Sequence, residues 1–563
     1  MHKLLAAMFV ALASFGFAPG FALAQAPAKA PAKEAAKPAP KPSAKQVQVG
    51  GCFGCHAAIK EFHDGNKHAG VHCANCHEGI DKHASDPSAR PTTKTDPKVC
   101  GGCHKNQYDS FATVNLHRPA RSEKSQAAGP SPNPAWDKLM MPHGFTKEHA
   151  LPRSHTFMLF DQLIVDRAFG GRFQSKNGWQ YLTQTGSFRI WDLLEDKYPN
   201  EKDHKPFKPG YAAAANPVCM SCKTQDHILD WAYLGDPVPG AKWSRTSKVV
   251  DFVKDVNHAM NCFFCHDPHS AKPRIVRDGL IQALTRPEKD TLWHKDPKAT
   301  PIQVKDLGVR GYTRKIAMLP SYDTKLQCGQ CHVEYNCNPG TDPTTGQPIG
   351  MADGRTNHFP FKDVNAIAQH YTDLKFRDFK HGITGALLWK SQHPDVETYW
   401  NSKHDQAGVQ CHNCHMPKVK DKAGKVYTSH WQTNPKNYIK ETCLACHAGW
   451  KEEQAKYVIE SLNGHIQGKT RKAEFWLTRF IDKFEEAGAA RVDEAALKAA
   501  RDKHYEAHVH WEWWTSANGA AFHNPDQAKE SLNKSMALSQ EGIKILDEAI
   551  KAARSAGTTA SAK

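Results

Sequence analysis

Eight times in 563 residues, two cysteines stand three positions apart: Cys52 and Cys55, Cys73 and Cys76, Cys100 and Cys103, Cys219 and Cys222, Cys262 and Cys265, Cys328 and Cys331, Cys411 and Cys414, Cys443 and Cys446. In seven of these pairs the next residue is histidine: His56, His77, His104, His266, His332, His415 and His447. The exception is Cys219-Met220-Ser221-Cys222, which Lys223 follows. A lone Cys-x-x-Cys can be a redox dithiol or half of a zinc site, but neither chemistry needs histidine directly after the second thiol. Covalent attachment of a porphyrin by two thioethers, with its iron ligated by the following residue, does need that order. The pattern therefore predicts eight covalently attached haem c groups and leaves Cys337 as the odd member of the 17 cysteines.

The count of 33 histidines is large enough to give each of seven irons a second imidazole. Iron closed by two histidines moves electrons and binds nothing else. Position along the chain nominates His68 and His72 ahead of the second motif, His117 after the third, and His258 and His269 on either side of the fifth. Lys223 is different, because its amine must shed a proton before donating to iron, which burial and the metal's charge both favour. An open face opposite it would make this haem the place where substrate binds, fed by the other seven. A small oxyanion reduced there needs positive charge, proton donors and a supply of electrons. Glu334, Tyr335 and Cys337 follow His332, and Lys390, Gln392 and His393 come later. By residue type alone, each of these could equally be structural.

The lysine motif, taken with "CGQCHVEY" over 328–335 and "KSQHP" over 390–394, closely resembles the cytochrome c nitrite reductases, which reduce nitrite to ammonium. Eight motifs, three of them ahead of the lysine, resemble the octahaem branch of that family. The resemblance implies that Tyr335 and His393 are catalytic. It also places a catalytic arginine on Arg167, at the end of "RSHTFMLFDQLIVDR", with Arg153 and Arg172 as rivals. It implies Ca2+ held by the Glu334 carboxylate, the Tyr335 and Lys390 backbone carbonyls and the Gln392 side-chain oxygen, all hard donors. A thioether between Tyr335 and Cys337 is implied as well, and so are His381, His404, His430 and His523 as further iron ligands. Hydroxylamine and sulfite would be additional substrates, and a homo-oligomer the assembly. The rival readings are an octahaem hydroxylamine oxidoreductase, a tetrathionate reductase and a periplasmic electron-transfer protein without catalysis. The lysine ligand favours reduction.

The elements that must carry these groups are mainly α-helical, with extensive loops and long C-terminal helices. Residues 1–24 have a basic start, an apolar run and small residues at Ala22 and Ala24, which predicts export to the periplasm with cleavage before Gln25. Residues 25–48, rich in Ala, Pro and Lys, read as a tether. A three-haem electron-transfer domain is expected over 49–150 and a five-haem catalytic domain over 151–563. Over 524–554 an apolar stripe of Leu532, Met536, Leu538, Ile543, Ile545, Leu546 and Ile550 could cover this domain or a second subunit. No segment of the mature chain reads as membrane-spanning. The formal charge of +16 would suit an anionic partner, but sixteen haem propionates offset it, and no nucleic-acid motif accompanies it. The expected partners are nitrite and a periplasmic electron donor of unidentified nature.

Overall fold

The computed structural model describes residues 49–116, 118, 135–141, 154–165, 173–175, 190, 194–196, 216–308 and 311–561. The expected export segment and tether, His117, Arg153, Arg167 and Arg172 lie outside these residues. Two cysteines three positions apart share one face only if the chain makes a helical turn between them, and the attachment motifs do so. In five motifs the amide of the following histidine closes the turn on the first cysteine's carbonyl: His56 on Cys52 at 2.9 Å, His104 on Cys100 at 2.8 Å, His266 on Cys262 at 3.0 Å, His332 on Cys328 at 2.9 Å and His447 on Cys443 at 2.8 Å. Lys223 differs, its amide reaching Met220 one residue nearer, at 2.8 Å.

Such turns are too short to persist by propagation, so side chains cap their orphan amides. Asn216 accepts from the amides of Val218 and Cys219, with Pro217 starting the turn. Asn261 accepts from Phe263, Asp323 from Lys325 and Leu326, and the His72 ring from Ala74. Sheet is scarce. The largest among the described residues has three strands, β1 (Arg274–Ile275), β2 (Gln303–Asp306) and β3 (Lys315–Met318), in the antiparallel order β1-β3-β2.

The long helices come last: α1 (Glu452–Ala489), α2 (Glu494–Ser516) and α3 (Pro525–Ser561). Asp493 caps α2 by accepting from the Ala496 amide. The apolar stripe expected on α3 packs within this chain. Leu546 and Ile550 are buried with Phe480, Phe484 and Ala500 of α1 and α2, while Leu532 and Leu538 join Leu477, Ile481 and Trp511. Ser516 at the end of α2 donates to Ser391 at 2.7 Å, and Trp513 stacks on Trp389 with ring centres 6.1 Å apart. This bundle thus backs the Lys390–His393 segment. Among the described residues no helix is long and apolar enough to cross a membrane.

α1 and α3 approach so closely at Gly542 that a Cβ there would lie 1.9 Å from the Phe480 ring. Phe480 is fully buried and has little room to retreat. Gly542→Ala is expected to destabilise the bundle by about 1–3 kcal/mol, read as a lower thermal midpoint. An unchanged midpoint would show that the ring yields freely.

Candidate active site

Around Lys223 three separate stretches of chain converge. The turn that carries Cys219 is tied to the 335–338 stretch by Asn216 Nδ2, which donates to the Cys337 carbonyl at 2.5 Å. The thiols of Cys219 and Cys337 lie 3.5 Å apart. Tyr335 is buried, with Cys222, Cys337, Cys219 and Arg277 as its charged or ionisable neighbours. Burial pushes its phenol well above the usual range, so the hydroxyl keeps its proton. His393 is buried with Lys390, Asp395, His332 and Lys223 around it, and burial followed by the Lys390 charge lowers it to about 3. The imidazole is therefore neutral near pH 7.

Asp395 fixes the turn that bears His393. Its carboxylate accepts from the His332 Nδ1 at 2.8 Å, the Asn518 amide at 2.5 Å and the Asn518 side chain at 2.9 Å. Burial alone would raise this acid, but the His332 hydrogen bond and charge hold it well below the carboxylate range. For His332 burial works downward and is outweighed by Asp395, leaving the ring raised.

Glu334 is fully buried, and both its oxygens are held. Oε1 accepts from Tyr371 at 2.9 Å and Trp389 at 3.1 Å, and Oε2 accepts from the Gln392 amide at 2.7 Å. Lys390 Nζ donates to Gln392 Oε1 at 3.0 Å. Desolvation leads the upward shifts of Glu334 to about 8 and of Asp378 to about 7, and raises Glu397 well above its usual value. Glu397 Oε1 accepts from the Glu334 amide at 2.9 Å, while its buried Oε2 has no partner. A buried cluster of oxygen donors with an orphaned carboxyl oxygen fits a hard divalent cation.

The other motifs show a second regularity. An iron between two imidazoles, about 2 Å from each nitrogen, sets the ring centres roughly 6 Å apart. His56 and His83 are 5.9 Å apart, His104 and His68 6.2 Å, and His332 and His155 6.1 Å. His266 and His430 are 6.4 Å apart, His447 and His404 6.3 Å, and His415 and His523 6.5 Å. His269 lies close enough to His77 to lower its proton affinity, after burial. The residues therefore fit haem between two histidines at the seven histidine motifs.

The family pattern of cytochrome c552 matches residues 96–561, most of the chain. The chain belongs to the cytochrome c552 family. The match begins just ahead of Cys100, so the first two motifs precede it. The cytochrome c nitrite reductase subunit NrfA of Nitratidesulfovibrio vulgaris is 27% identical over 437 residues, 74% of this chain and 69% of that protein. Cytochrome c-552 of Haemophilus influenzae is 30% identical over 328 residues, 55% of this chain, which spans about half that relative (54%). A solved structure of cytochrome c nitrite reductase from Desulfovibrio desulfuricans, described with two calcium sites in its catalytic subunit, superposes with TM-score 0.57. It shares 22% identity and covers 81% of this chain and 87% of its own. At that identity the likeness establishes a common fold.

On this cytochrome c552 fold, some nominated histidines stand elsewhere. His258 bonds to Asp226 at 2.9 Å and Thr95 at 3.2 Å. His381 lies against the Lys138 carbonyl at 2.9 Å and beside His504. His68 faces His104 of the third motif, not the second motif that it precedes. His83 and His155 were not singled out by their positions in sequence, and His269 had only its place beside the fifth motif to commend it. Arg277, buried beside Tyr335, also gave no signal, since an arginine in "PRIVRDGL" resembles a surface residue.

Several buried rings outside the haem pairs are held neutral by desolvation, His393 and His227 at about 3 and His381 at about 4. In the unfolded chain they bind protons below about pH 6.5. As pH falls below that value the unfolded state takes up protons that the folded state refuses, so stability declines from about pH 6.5 toward 4. Thermal midpoints at about pH 7.5 and about pH 5 are expected to differ in that direction; equal midpoints would show that these rings protonate in the fold.

Proposed function

We propose that this chain reduces nitrite to ammonium in the periplasm, taking six electrons and eight protons and releasing two waters. The observation that carries the reading is the convergence of Tyr335, His393 and the lysine motif in one buried cluster, while six of the histidine motifs have a second histidine ring about 6 Å from the first. Cys219, Cys222 and Lys223 would hold a haem, which would supply redox-active iron for reductive cleavage of the N–O bonds. Lys223 would hold that iron from one side. The other seven irons would lie between the histidine pairs described above, with His83, His155 and His269 taking places for which His117, His258 and His381 had been nominated.

His393, neutral before substrate arrives, offers a ring N–H to the oxyanion. A bound anion raises the proton affinity of the imidazole beside it, so the ring gains a proton to pass on when substrate is present. Tyr335 keeps its phenol proton and donates a second hydrogen bond. Its ring is stacked on Phe359 with centres 5.4 Å apart, and a thioether to Cys337 would restrain it further. Arg167, outside the described residues, is assigned to the anion by the family resemblance. Ca2+ would be held by the Glu334 carboxylate, the Tyr335 and Lys390 carbonyls and Gln392, bracing the segments that bear Tyr335 and His393. Hydroxylamine and sulfite are proposed as further substrates of the same site.

The arrangement of thiols supports the supply of electrons. Cys52 lies against Cys73, Cys76 near Cys100 and Cys103, and Cys100 against Cys262. Cys265 neighbours Cys328, Cys331 lies against Cys222, Cys328 against Cys411, and Cys414 near Cys443 and Cys446. Haems on these thiols would run from the first, second and third motifs through the fifth to the sixth, which meets the lysine motif on one side and the seventh and eighth on the other. The 49–150 segment would thus be the intake relay, and 151–563 the catalytic part.

Anaerobic turnover with a reduced low-potential dye, following nitrite loss and ammonium formation together, tests the function. Stoichiometric ammonium is expected, and dye oxidation without it would refute six-electron reduction. Lys223→His is expected to keep eight haems but lose about 10²-fold or more in nitrite turnover, and His393→Asn about 10²-fold; wild-type rates in both would show that the exception has been overread. His83→Ala is expected to convert one low-spin haem to high-spin at constant haem count, measured by electron paramagnetic resonance, and an unchanged spectrum would remove His83 from the ligand set.

A further inference from the structure

Beside the contact of the lysine motif with the sixth motif lies a fully buried arginine, Arg277. Its guanidinium reaches the Cys222 thiol and has Cys331 as a further neighbour. Nη1 donates to Asp278 Oδ1 at 2.7 Å, whereas Nε and Nη2 have no hydrogen-bond partner. The guanidinium carbon sits 5.1 Å from the centre of the Phe359 ring, the same ring that stacks on Tyr335. Gly279 admits that ring, since a Cβ there would come within 2.5 Å of its Cδ1.

The charges around Arg277 do not cancel. Asp278, also fully buried, accepts from Trp231 Nε1 at 2.8 Å and from Asn357 Nδ2 at 3.4 Å. Arg314, the second buried guanidinium of the cluster, donates to the Ile228 and Val276 carbonyls at 3.1 and 2.6 Å. His227 bonds to the Thr224 carbonyl at 2.7 Å, and burial with Arg314 beside it keeps its ring neutral. Arg274 next to the cluster is paired with Asp267 at 3.2 Å. Among the described side chains of the cluster, two guanidiniums against one carboxylate leave one positive charge, beside the thiols through which two haems would be attached.

We infer that Arg277 and Asp278 set the reduction potentials of the haem at Lys223 and of the haem at His332, through a buried positive charge at the junction between them. The inference rests on the reading that both motifs carry haem. Reducing a ferric haem adds one negative charge, so a nearby cation favours the reduced form, and burial keeps solvent ions from screening it. Electrons arriving along the relay would therefore collect at these two centres. Arg277 acts through the haems and through Phe359, and so is a positioning and tuning residue.

Spectroelectrochemical titration of the full haem-loaded chain tests this, following the high-spin signal of the Lys223 haem. Arg277→Gln is expected to lower its potential so that the ratio of reduced to oxidised haem at a fixed potential falls about tenfold, which is about 59 mV for one electron. Asp278→Asn is expected to move it the opposite way, and Arg277→Lys to restore it. The haem at His447, in the far arm, is expected to stay unchanged in all three. Wild-type potentials in both charge-changing variants, or shifts of the same sign in both, would overturn the proposal. If Arg277→Gln fails to load haem, Asp278→Asn decides, and an unchanged or lowered potential there refutes the idea. Opposite shifts in a protein that made no ammonium would sink the proposed function and leave this inference standing.

Discussion

Two thiols separated by one turn, with a ligand on the residue after them, must keep register with a flat and rigid macrocycle, and the sequence repeats that motif eight times. A single turn has no cooperative strength of its own. The burden passes to local caps such as Asn216, Asn261, Asp323 and His72, and to backbone bonds that in most motifs close the turn on its first cysteine. Secondary structure is consequently fragmentary through the motif-bearing part, and the long helices stand after it as a buttress.

The buried cluster around Lys223 obeys a second constraint, that buried polar groups must be either neutral or matched. Asp395 is matched, being tied to His332 and to Asn518 at the end of the helical buttress. That tie fixes the backbone just after His393, and the Gln392 amide bond to Glu334 fixes it just before. Tyr335 and His393 are kept neutral by burial, so the site carries proton donors and acceptors without carrying their charges. Glu334 is the intermediate case, a carboxyl with every near partner satisfied and still shifted upward.

Much of this was legible in the sequence because covalent attachment leaves a local signature: cysteine spacing named the cofactor and the lysine named the exceptional site. The family resemblance then picked out Tyr335 and His393. Second iron ligands leave no such signature, since a histidine reaches across space to an iron carried elsewhere on the chain. His155 meets His332 from a distant segment, and His68 serves the third motif although it lies just before the second. Proximity in sequence therefore favoured His258, whose ring is committed to Asp226. Arg277 was illegible for a different reason, because burial of a charge depends on the whole surrounding packing and not on its neighbours in the chain.

The branching of the thiol contacts at Cys328 and Cys331 has a consequence for timing. On the proposed function, eight haems would hold more electrons than the six of one nitrite reduction, and two of them would lie on an arm beyond the branch. On the proposed function the molecule is then a capacitor as well as a wire. Filled beforehand, it could carry one substrate through to ammonium with no donor attached, so encounters with the donor and with the substrate need not coincide.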